Sequence, residues 1–429
     1  MPMAPQVPVA VRVADVLGTV LEVDELPIRL RAWDGSMAGP EAAPVVTVRS
    51  PRALRRLVWA PGELGLARGY VAGELDVDGD LFTTFGALSS AGRLAPDASF
   101  TGLSVAARLS LVRTAAALRL IGPPPPPPPE EVRLRGRGRR HSRGRDAAAI
   151  SHHYDVGNDF YGLVLGPSMV YSCAVWEDEA TGLEAAQEAK LDLVCRKLGL
   201  RAGSRLLDVG CGWGSLALHA AQRYGADVVG VTLSAEQAAW ARKRVAEAGL
   251  TERVDIRVQD YRDVVDGPFD AISSVGMAEH VGRAKLPGYA AGLRDLLARG
   301  GRLLNHAIAW SAGEFKWDPD SFIARYVFPD GELVTIGDMV RILESTGLEV
   351  LDVEALRRHY ALTLRSWVQN LEDNWTEAVA LTSEGRARVW RLYMAASALA
   401  FESGAMGVDQ VLLQRPGGDP PPLRRRDWI

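Results

Sequence analysis

The chain has 429 residues, of which 24% are charged and 47% are hydrophobic, and its formal net charge at pH 7 is −4. This length allows two domains with cores of their own, and the composition is that of a soluble globular protein. The negative net charge argues against general nucleic-acid binding. The three cysteines, Cys173, Cys195 and Cys211, are scattered, so their spacing predicts neither a disulfide framework nor a metal site.

Residues 1–121 predict a small domain of mixed α and β structure. Ile28–Trp33 alternates between polar and apolar residues as a strand does, and Pro44–Val48 predicts a second strand. Ser50 is a typical N-cap for the helix that follows it, and Gly65–Val77 predicts a short helix, a turn and a strand. No catalytic set of residues occurs here. We expect a role in scaffolding, oligomerisation or substrate docking, and such a domain is compatible with a homodimer.

A segment rich in proline and arginine spans residues 122–147, after a candidate amphipathic helix at Leu103–Ile121. Pro123–Pro129 predicts a stiff polyproline spacer. Arg133–Arg145 is too polar to be buried and lacks the interleaved aromatic residues of a nucleic-acid arm. Two interpretations remain, namely a solvated linker between domains and a segment attracted to an anionic lipid surface.

The strongest chemical signal is the stretch Leu206–Gly214, with the sequence LLDVGCGWG. A short apolar strand there leads into a glycine-rich turn and then into a helix, which is the first unit of a doubly wound sheet. We therefore expect an α/β fold, a Rossmann-like sheet with helices on both faces. Gly210, Gly212 and Gly214 let the backbone approach a ligand at the helix N-terminus, and Asp208 ends the strand beside it.

The end of the second strand favours one cofactor class over another. Asp227–Val231 leads into Thr232 and Ser234 rather than into the acidic residue that holds an NAD ribose. Gln237, on the next helix, adds an amide to these hydroxyl groups. These residues favour S-adenosylmethionine over a nicotinamide dinucleotide, while a turn that binds no ligand remains a third interpretation. Asp260 and Tyr261 follow the third strand, where an Asp commonly receives the adenine amino group in this cofactor class.

Three further strand ends and loops supply candidate catalytic groups. The fourth strand, Phe269–Val275, leads to Glu279, and the fifth, Gly301–Ile308, carries His306 near its end. Ser151–Trp176 precedes the first strand of this sheet, so we expect it to fold over the cofactor as a lid. Since strand ends of a parallel sheet share one edge, the pattern predicts that a Cys, a Glu and a His meet there.

Eight motifs follow one another from Ser151 to about Pro416. They are HHYDVGNDFY, VYSCAVW, LLDVGCGWG, GVTLSAEQ, QDYRD, SVGMAEHVG, LLNHAI and RYVFPDGEL. In these motifs the chain resembles the cyclopropane-fatty-acyl-phospholipid synthase family, and GLARGYVAGELDVDGDLF resembles the extra N-terminal domain of its longer bacterial members. Ala278 departs from the family pattern, in which a bulkier residue often precedes the glutamate.

The resemblance implies transfer of a methyl group from S-adenosylmethionine to the cis double bond of an unsaturated phospholipid acyl chain. The resulting carbocation would lose a proton to a bound bicarbonate and close a cyclopropane ring. The implied bicarbonate site consists of Cys173, Glu279, His306, the backbone at Ile308, and Tyr360. The implied cofactor site consists of Tyr171, Ser172, Asp208, Gly210, Gly212, Gly214, Thr232, Ser234, Gln237, Asp260 and Tyr261.

The resemblance leaves the reaction product open, whereas the sequence predicts a location and domain limits. Some relatives form a methylene branch, which a partner reductase converts to a methyl branch, and others add water, so the product stays open. We expect a cytoplasmic enzyme at the inner face of the membrane, because the sequence has no signal peptide and no apolar run long enough to span a bilayer. The methyltransferase domain is predicted at residues 148–415, with helices after Trp317 forming an acyl pocket, and a disordered tail at 416–429.

Overall fold

The computed structural model describes residues 7–21, 23–60, 62–90, 112–118, 120, 122–132, 140–145, 156–311, 313–418 and 420–425. Two compact units are present. Unit 1 comprises residues 1–133, 319–327 and 383–396, and unit 2 comprises residues 134–318, 328–382 and 397–429. The domain limits that we place at residues 121, 147 and 415 stay a prediction. Most of the predicted helix at Leu103–Ile121, residues 133–139 of the basic segment and residues 151–155 of the expected lid lie outside the described residues.

Unit 1 contains a four-stranded sheet of mixed direction. Its strands are β1 (Arg29–Ala32), β2 (Met37–Ala38), β3 (Val45–Val48) and β4 (Leu75–Asp78), in the order β2-β1-β3-β4. β1 pairs with β3 in parallel, and the other pairs are antiparallel. The helices are α1 (Val9–Leu21), α2 (Pro51–Trp59), α3 (Glu63–Val71) and α4 (Leu81–Ser90). The Ser50 side chain accepts a hydrogen bond from the Arg52 N–H, so it caps α2 as expected.

The proline-rich segment packs against α2 within unit 1. Arg56 donates to the Pro126 carbonyl at 2.8 Å, and the Trp59 indole donates to the Gly122 carbonyl at 3.0 Å. At the end of the segment, Glu131 accepts two hydrogen bonds from Arg68, both of 2.7 Å. The first two contacts satisfy the Pro126 and Gly122 carbonyls, which a free spacer would leave to water.

Three separate stretches of the chain meet in unit 1. Arg388, from the stretch 383–396, is buried and lies 3.2 Å from the Asp76 carboxylate at the end of the sheet. Arg325, from the stretch 319–327, accepts a backbone hydrogen bond of 2.7 Å from Val132. Residues far apart in sequence therefore complete this unit.

Unit 2 contains a seven-stranded sheet in the order β10-β11-β9-β8-β5-β6-β7. Its strands are β5 (Arg205–Val209), β6 (Asp227–Thr232), β7 (Val254–Val258), β8 (Phe269–Val275), β9 (Leu297–Trp310), β10 (Glu349–Ala355) and β11 (Met406–Gln414). β5 to β9 pair in parallel, whereas β11 is antiparallel to both β9 and β10. The strand order reverses beside β5, because β8 pairs with β5 on the side opposite β6, and such a point is where ligands bind in doubly wound sheets.

The described helices that follow α4 along the chain are α5 (Asn158–Leu165), α6 (Leu183–Leu198), α7 (Ser215–Tyr224), α8 (Ala235–Glu247), α9 (Ala278–Val281), α10 (Leu286–Leu296), α11 (Phe322–Tyr326), α12 (Ile336–Glu344), α13 (Arg357–Asp373), α14 (Trp375–Leu381) and α15 (Glu384–Ser403). Short 3-10 turns lie at Tyr261–Asp263 and Arg283–Lys285. Among the helices that the structure describes, none has the length and apolar character needed to cross a membrane.

Both faces of the large sheet are buried. Leu206 and Leu304 pack into one apolar cluster with residues of α6, α7 and α8, and Leu207 and Leu303 pack into a second cluster with residues of α10 and α12. Neighbouring residues of one strand thus enter opposite clusters, as the two-residue period of a strand requires. The predicted fold class, a Rossmann-like sheet with helices on both faces and a small mixed N-terminal part, is confirmed.

Candidate active site

The glycine-rich turn after β5 forms a backbone cradle. Gly210, Gly212 and Gly214 have φ angles of +78°, +54° and +79°. The N–H groups of Gly210 and Cys211 both donate to the Val231 carbonyl, which folds the turn against the end of β6. A Cβ atom on Gly210 would lie 2.6 Å from the Met277 side chain, whereas one on Gly212 would meet no atom within 4 Å. The turn therefore leaves open space in front of Gly212, which fits a ligand lying against the backbone.

A pocket opens at this turn, and nine of the eleven predicted cofactor residues line it. They are Tyr171, Ser172, Asp208, Gly210, Gly212, Thr232, Gln237, Asp260 and Tyr261. Gly214 and Ser234 are not among the lining residues. Ser234 accepts a hydrogen bond of 3.2 Å from the Gln237 N–H and caps α8, and Gly214 is the N-cap residue of α7. These two residues shape the helices that hold the pocket.

The polar groups of the pocket are held by their neighbours. Asp208 accepts a hydrogen bond of 2.7 Å from the Ser273 hydroxyl. Burial raises the pKa of Asp208 to about 6, although the Ser273 hydrogen bond opposes that rise. The Asp260 carboxylate accepts hydrogen bonds from the backbone and guanidinium of Arg262, at 3.0 and 2.8 Å. The carboxylate expected to meet the adenine is thus already fixed by its own loop.

The segment before the sheet lies against the glycine-rich turn. The Trp213 indole donates to Asn158 Oδ1 at 2.7 Å, and the Ser215 hydroxyl donates to the Ser168 carbonyl at 2.5 Å. The Tyr161 ring lies 4.7 Å from the Trp213 ring and 5.7 Å from the Tyr171 ring. The described part of the expected lid therefore lies against this turn.

Glu279, in α9 beyond β8, is bonded to the backbone of β9. Its Oε1 atom accepts a hydrogen bond of 2.7 Å from the Ile308 N–H. Its Oε2 atom is inaccessible to solvent and has no hydrogen-bond partner in the described structure. Burial raises the pKa of Glu279 to about 7, against the opposing effect of the Ile308 hydrogen bond. A substantial fraction of the carboxyl group is therefore protonated at neutral pH.

His306 lies in β9 and is 2% exposed. Its Nδ1 atom lies 3.2 Å from the side-chain Nε2 of Gln410, the residue opposite it in β11. Its own Nε2 atom is buried and, within the part of the chain that is described, has no hydrogen-bond partner. Burial, together with the charges of Lys190 and Lys197, lowers the pKa of His306 to about 3, so the imidazole is neutral.

Cys173 and Tyr360 are connected to this group through the backbone of Leu356. The Leu356 carbonyl accepts from the Tyr360 N–H at 3.1 Å and lies 3.7 Å from the Cys173 sulfur. The Leu356 N–H donates to Val408, which pairs with Ile308 across the sheet. Burial raises the pKa of Cys173 well above its ordinary value, so the thiol stays protonated.

The Tyr360 ring packs among aromatic rings of the C-terminal helices. It lies 4.8 Å from the Phe401 ring and 6.1 Å from the Trp367 ring, and Trp367 in turn lies 5.4 Å from Tyr171 of the pocket. The residues of the implied bicarbonate site do not line the pocket themselves. Of these residues, Cys173 directly follows Ser172, which does line the pocket. The helices of the expected acyl pocket are present, and that pocket stays a prediction.

Two polar residues at this site were missed in the sequence. Lys190 lines the pocket from α6, and Gln410 lies beside His306. The signal for Lys190 was its spacing, because Gln187 and Lys190 share the buried stripe of α6 with Leu191 and Val194. A polar residue within such a stripe is a candidate for a specific partner.

Comparison with known proteins places this arrangement in a family. The sequence profile of the mycolic acid cyclopropane synthetase family matches residues 141–411. A probable fatty acid methyltransferase of Mycobacterium tuberculosis is 43% identical over 424 residues, which are 96% of this chain and 97% of that protein. The tuberculostearic acid methyltransferase of the same organism is 35% identical over 429 residues, covering 96% and 94% of the two chains.

A solved structure agrees with these matches. The mycolic acid cyclopropane synthase CmaA1, complexed with SAH and CTAB, is 33% identical, has a TM-score of 0.59, and covers 62% of this chain and 98% of its own. The fold and pocket thus define an S-adenosylmethionine-dependent methyltransferase. Within that class, the chain belongs to the mycolic acid cyclopropane synthetase family. The enzyme class and the family that the motifs predicted are confirmed.

Proposed function

We propose that this methyltransferase converts the cis double bond of an unsaturated phospholipid acyl chain into a cyclopropane ring. The observation that carries the proposal is the pair of buried polar atoms without partners in the described structure, Glu279 Oε2 and His306 Nε2. Buried polar atoms are almost always hydrogen-bonded, so each of these two atoms is a candidate partner for a small polar ligand. In the sequence, Glu279 stands between Met277 and His280, and both of these residues line the cofactor pocket.

The reaction adds one CH2 group to the lipid. S-adenosylmethionine supplies an electrophilic methyl group. The π electrons of the acyl double bond form the new carbon–carbon bond, and S-adenosylhomocysteine leaves. Positive charge then develops on the other alkene carbon, the added methyl group loses a proton, and the C–H electron pair closes the ring.

The chain's own residues protect the cation. Water would trap it as an alcohol, so the site has to be dry, and Cys173 and His306 are both buried. A thiolate would also trap the cation, and burial keeps Cys173 as a neutral thiol.

The orphaned atoms fit bicarbonate, which would supply the base for proton removal. We propose that His306 Nε2 and Glu279 Oε2 hold it by hydrogen bonds, with Cys173 and Tyr360 completing the site. A carboxyl group can donate to an anion only when it is protonated, and the raised pKa of Glu279 supports that state. The Ile308 N–H already donates to Glu279 and so orients the glutamate, and the backbone around Ile308 stays a proposed further holder of the ion.

A methylene-branched product is the second candidate. It is favoured by the similarity to a tuberculostearic acid methyltransferase along 96% of this chain. In this case the same methylation of an oleoyl chain would give a 10-methylene fatty acid, and a partner reductase would complete a 10-methyl branch.

Acyl-chain analysis distinguishes the two products. The protein is expressed in a host that makes oleate but no modified lipids, with deuterated methionine as the methyl donor. We expect phospholipid chains that have gained one carbon with two deuterium atoms, and fragmentation after derivatisation should locate a ring. A branch would establish the second candidate. Unlabelled lipids from a protein that still binds S-adenosylhomocysteine would contradict both.

Substitutions at the orphaned pair test the bicarbonate proposal. Glu279→Gln and His306→Ala should each retain S-adenosylhomocysteine binding, because neither side chain lines the pocket, while most turnover is lost. Binding is measured by calorimetry and turnover by labelled lipid product. Glu252→Gln, at an exposed position, is the control. Unchanged turnover in both variants would rule out the assignment.

We also propose that the enzyme acts in the cytoplasm at an anionic membrane surface. The basic segment is the proposed contact, but part of it has internal partners. Arg140 pairs with Glu332 at 2.9 Å, Arg143 with Asp263 at 3.0 Å, and Arg145 with Asp330 at 2.6 Å. The proposal therefore rests on the arginines at positions 133–139.

A further inference from the structure

Lys190 is a buried ammonium group in the cofactor pocket. It lies in α6, is 3% exposed, and lines the pocket together with Ser172 and Asp208. Its Nζ atom donates to the Ser172 hydroxyl at 3.0 Å. Among the described residues, no carboxylate oxygen lies within 4.0 Å of this Nζ atom. An ammonium group buried with a single neutral partner is unfavourable unless an anion joins it.

The pocket therefore contains two buried groups of opposite charge that are not paired with each other. Asp208, at the end of β5, is bonded to Ser273, and Lys190 is bonded to Ser172. Both side chains line the same pocket, and the charge of each favours the charged form of the other. Burial lowers the pKa of Lys190 to about 8, so it remains mostly protonated at neutral pH. This arrangement suits a ligand that brings both charges, as an amino acid does.

The position of Lys190 along the sheet tells which end of the cofactor it faces. Its helix packs against β8 and β9, whereas Thr232 ends β6 and Asp260 follows β7, on the other side of β5. Thr232 and Asp260 are the proposed partners of the adenosine part of S-adenosylmethionine. A cofactor held in this way would place its amino-acid arm past the glycine-rich turn, on the side of Ser172 and Lys190.

We propose that Lys190, together with the Ser172 hydroxyl that it holds, recognises the α-carboxylate of the methionine arm of S-adenosylmethionine. The inference rests on the proposed cofactor pocket and adds to it a charge-specific subsite. Lys190 neutralises the carboxylate. Its hydrogen bond turns the Ser172 lone pair toward Nζ, which leaves the Ser172 O–H free to donate to the same ligand group.

Substitution of a neighbouring residue, Gln187, distinguishes recognition of the carboxylate from structural support of the pocket. Gln187, one turn earlier in α6, donates to the Ser172 carbonyl at 3.0 Å and lies 3.4 Å from the Val170 carbonyl. It fixes the backbone of the segment and carries no charge. Gln187→Met should therefore weaken all ligands of the pocket alike, whereas Lys190→Met should act only on ligands that carry the carboxylate.

Two ligands that differ in the amino-acid arm provide the test. S-adenosylhomocysteine has this arm, and 5′-methylthioadenosine lacks it. We expect Lys190→Met, in the full chain, to weaken S-adenosylhomocysteine binding by about 10- to 100-fold in calorimetry, as for a lost hydrogen bond to a charged group. Binding of 5′-methylthioadenosine should change less than about twofold, and Lys190→Arg should retain part of the preference.

Equal weakening of both ligands by Lys190→Met would overturn the inference, and so would unchanged S-adenosylhomocysteine binding. Ser172→Ala, a smaller change, provides the second variant and should show the same selective loss. The binding assay contains no lipid, so its result is independent of which lipid product forms. Failure of the unsubstituted protein to bind S-adenosylhomocysteine would instead contradict the proposed cofactor pocket.

Discussion

At the scale of single residues, burial sets the protonation states around the candidate site. It raises the pKa of Asp208 to about 6 and that of Glu279 to about 7, and it lowers that of His306 to about 3. Burial favours the neutral form of each group. At neutral pH the imidazole of His306 is therefore neutral, and a substantial fraction of the Glu279 carboxyl group is protonated.

The shift at Glu279 predicts a pH-dependent contribution to stability. The folded protein keeps this proton up to about pH 7, whereas an unfolded chain releases it near pH 4.5. The free energy of unfolding therefore falls as the pH rises through this window. Glu279→Gln removes this contribution, so its melting temperature relative to the unsubstituted protein should rise between pH 4.5 and 7 and stay level above. Glu252→Gln should show a constant difference, and a constant difference for Glu279→Gln would contradict the assignment.

The sequence predicted candidate site residues at or beyond the ends of predicted strands, and it missed two polar residues, Lys190 and Gln410, that lie close to those candidates through packing. Glu279 and His306 follow from the rule that parallel strands end at one edge. Lys190 reaches the pocket from the middle of a helix, and Gln410 lies in the antiparallel strand β11. Their neighbours depend on how α6 and β11 pack, which local sequence patterns do not specify.

At the scale of elements, the glycine-rich turn also controls how two helices approach. A Cβ atom on Gly214, at the start of α7, would lie 2.9 Å from the Cβ of Ala241 in α8. Gly214 also has a φ angle of +79°. Glycine is thus required here for close packing as well as for backbone conformation.

A matched pair of substitutions separates these two requirements. Gly249 has a φ angle of +67°, but a Cβ atom there would meet nothing within 4 Å. Gly249→Ala should lower the free energy of unfolding by about 1 kcal/mol through backbone strain. Gly214→Ala should lower it by about 2 to 4 kcal/mol, because overpacking is added to the strain. Urea denaturation measures the free energy of unfolding of both variants. Equal losses would show that Ala241 can move away from the added methyl group without lowering stability.

The sequence also predicted the parallel elements better than the antiparallel ones. The strands β5, β6 and β8 lie where their apolar runs indicated. β9 extends further, over Leu297–Trp310, because it pairs with β11 as well as with β8. β10 has the sequence EVLDVEA, with acidic residues spaced along it. Such an edge strand is specified by its partner rather than by its own hydrophobicity.

At the scale of the whole molecule, the basic segment is divided between internal and proposed external partners. Replacing the arginines at positions 133, 135, 137 and 139 with glutamine should weaken binding to anionic vesicles by about fivefold per residue, or about 1 kcal/mol each. Arg143→Gln is the control, because Arg143 pairs with Asp263. Co-sedimentation with phosphatidylglycerol vesicles measures the effect. Binding that does not depend on these arginines would make the segment a linker alone.

The three-stretch composition of unit 1 has a consequence for synthesis on the ribosome. Residues 1–133 emerge first, but their partners at 383–396 emerge some 250 residues later. At about 5–20 residues per second, this delay is roughly 10 to 50 s. During that time Asp76 has no hydrogen bond from Arg388, because residues 383–396 have not yet been synthesised. The four-stranded sheet therefore lacks the stretch that completes its unit. The part of the chain that is translated first is therefore among the last to reach its final structure.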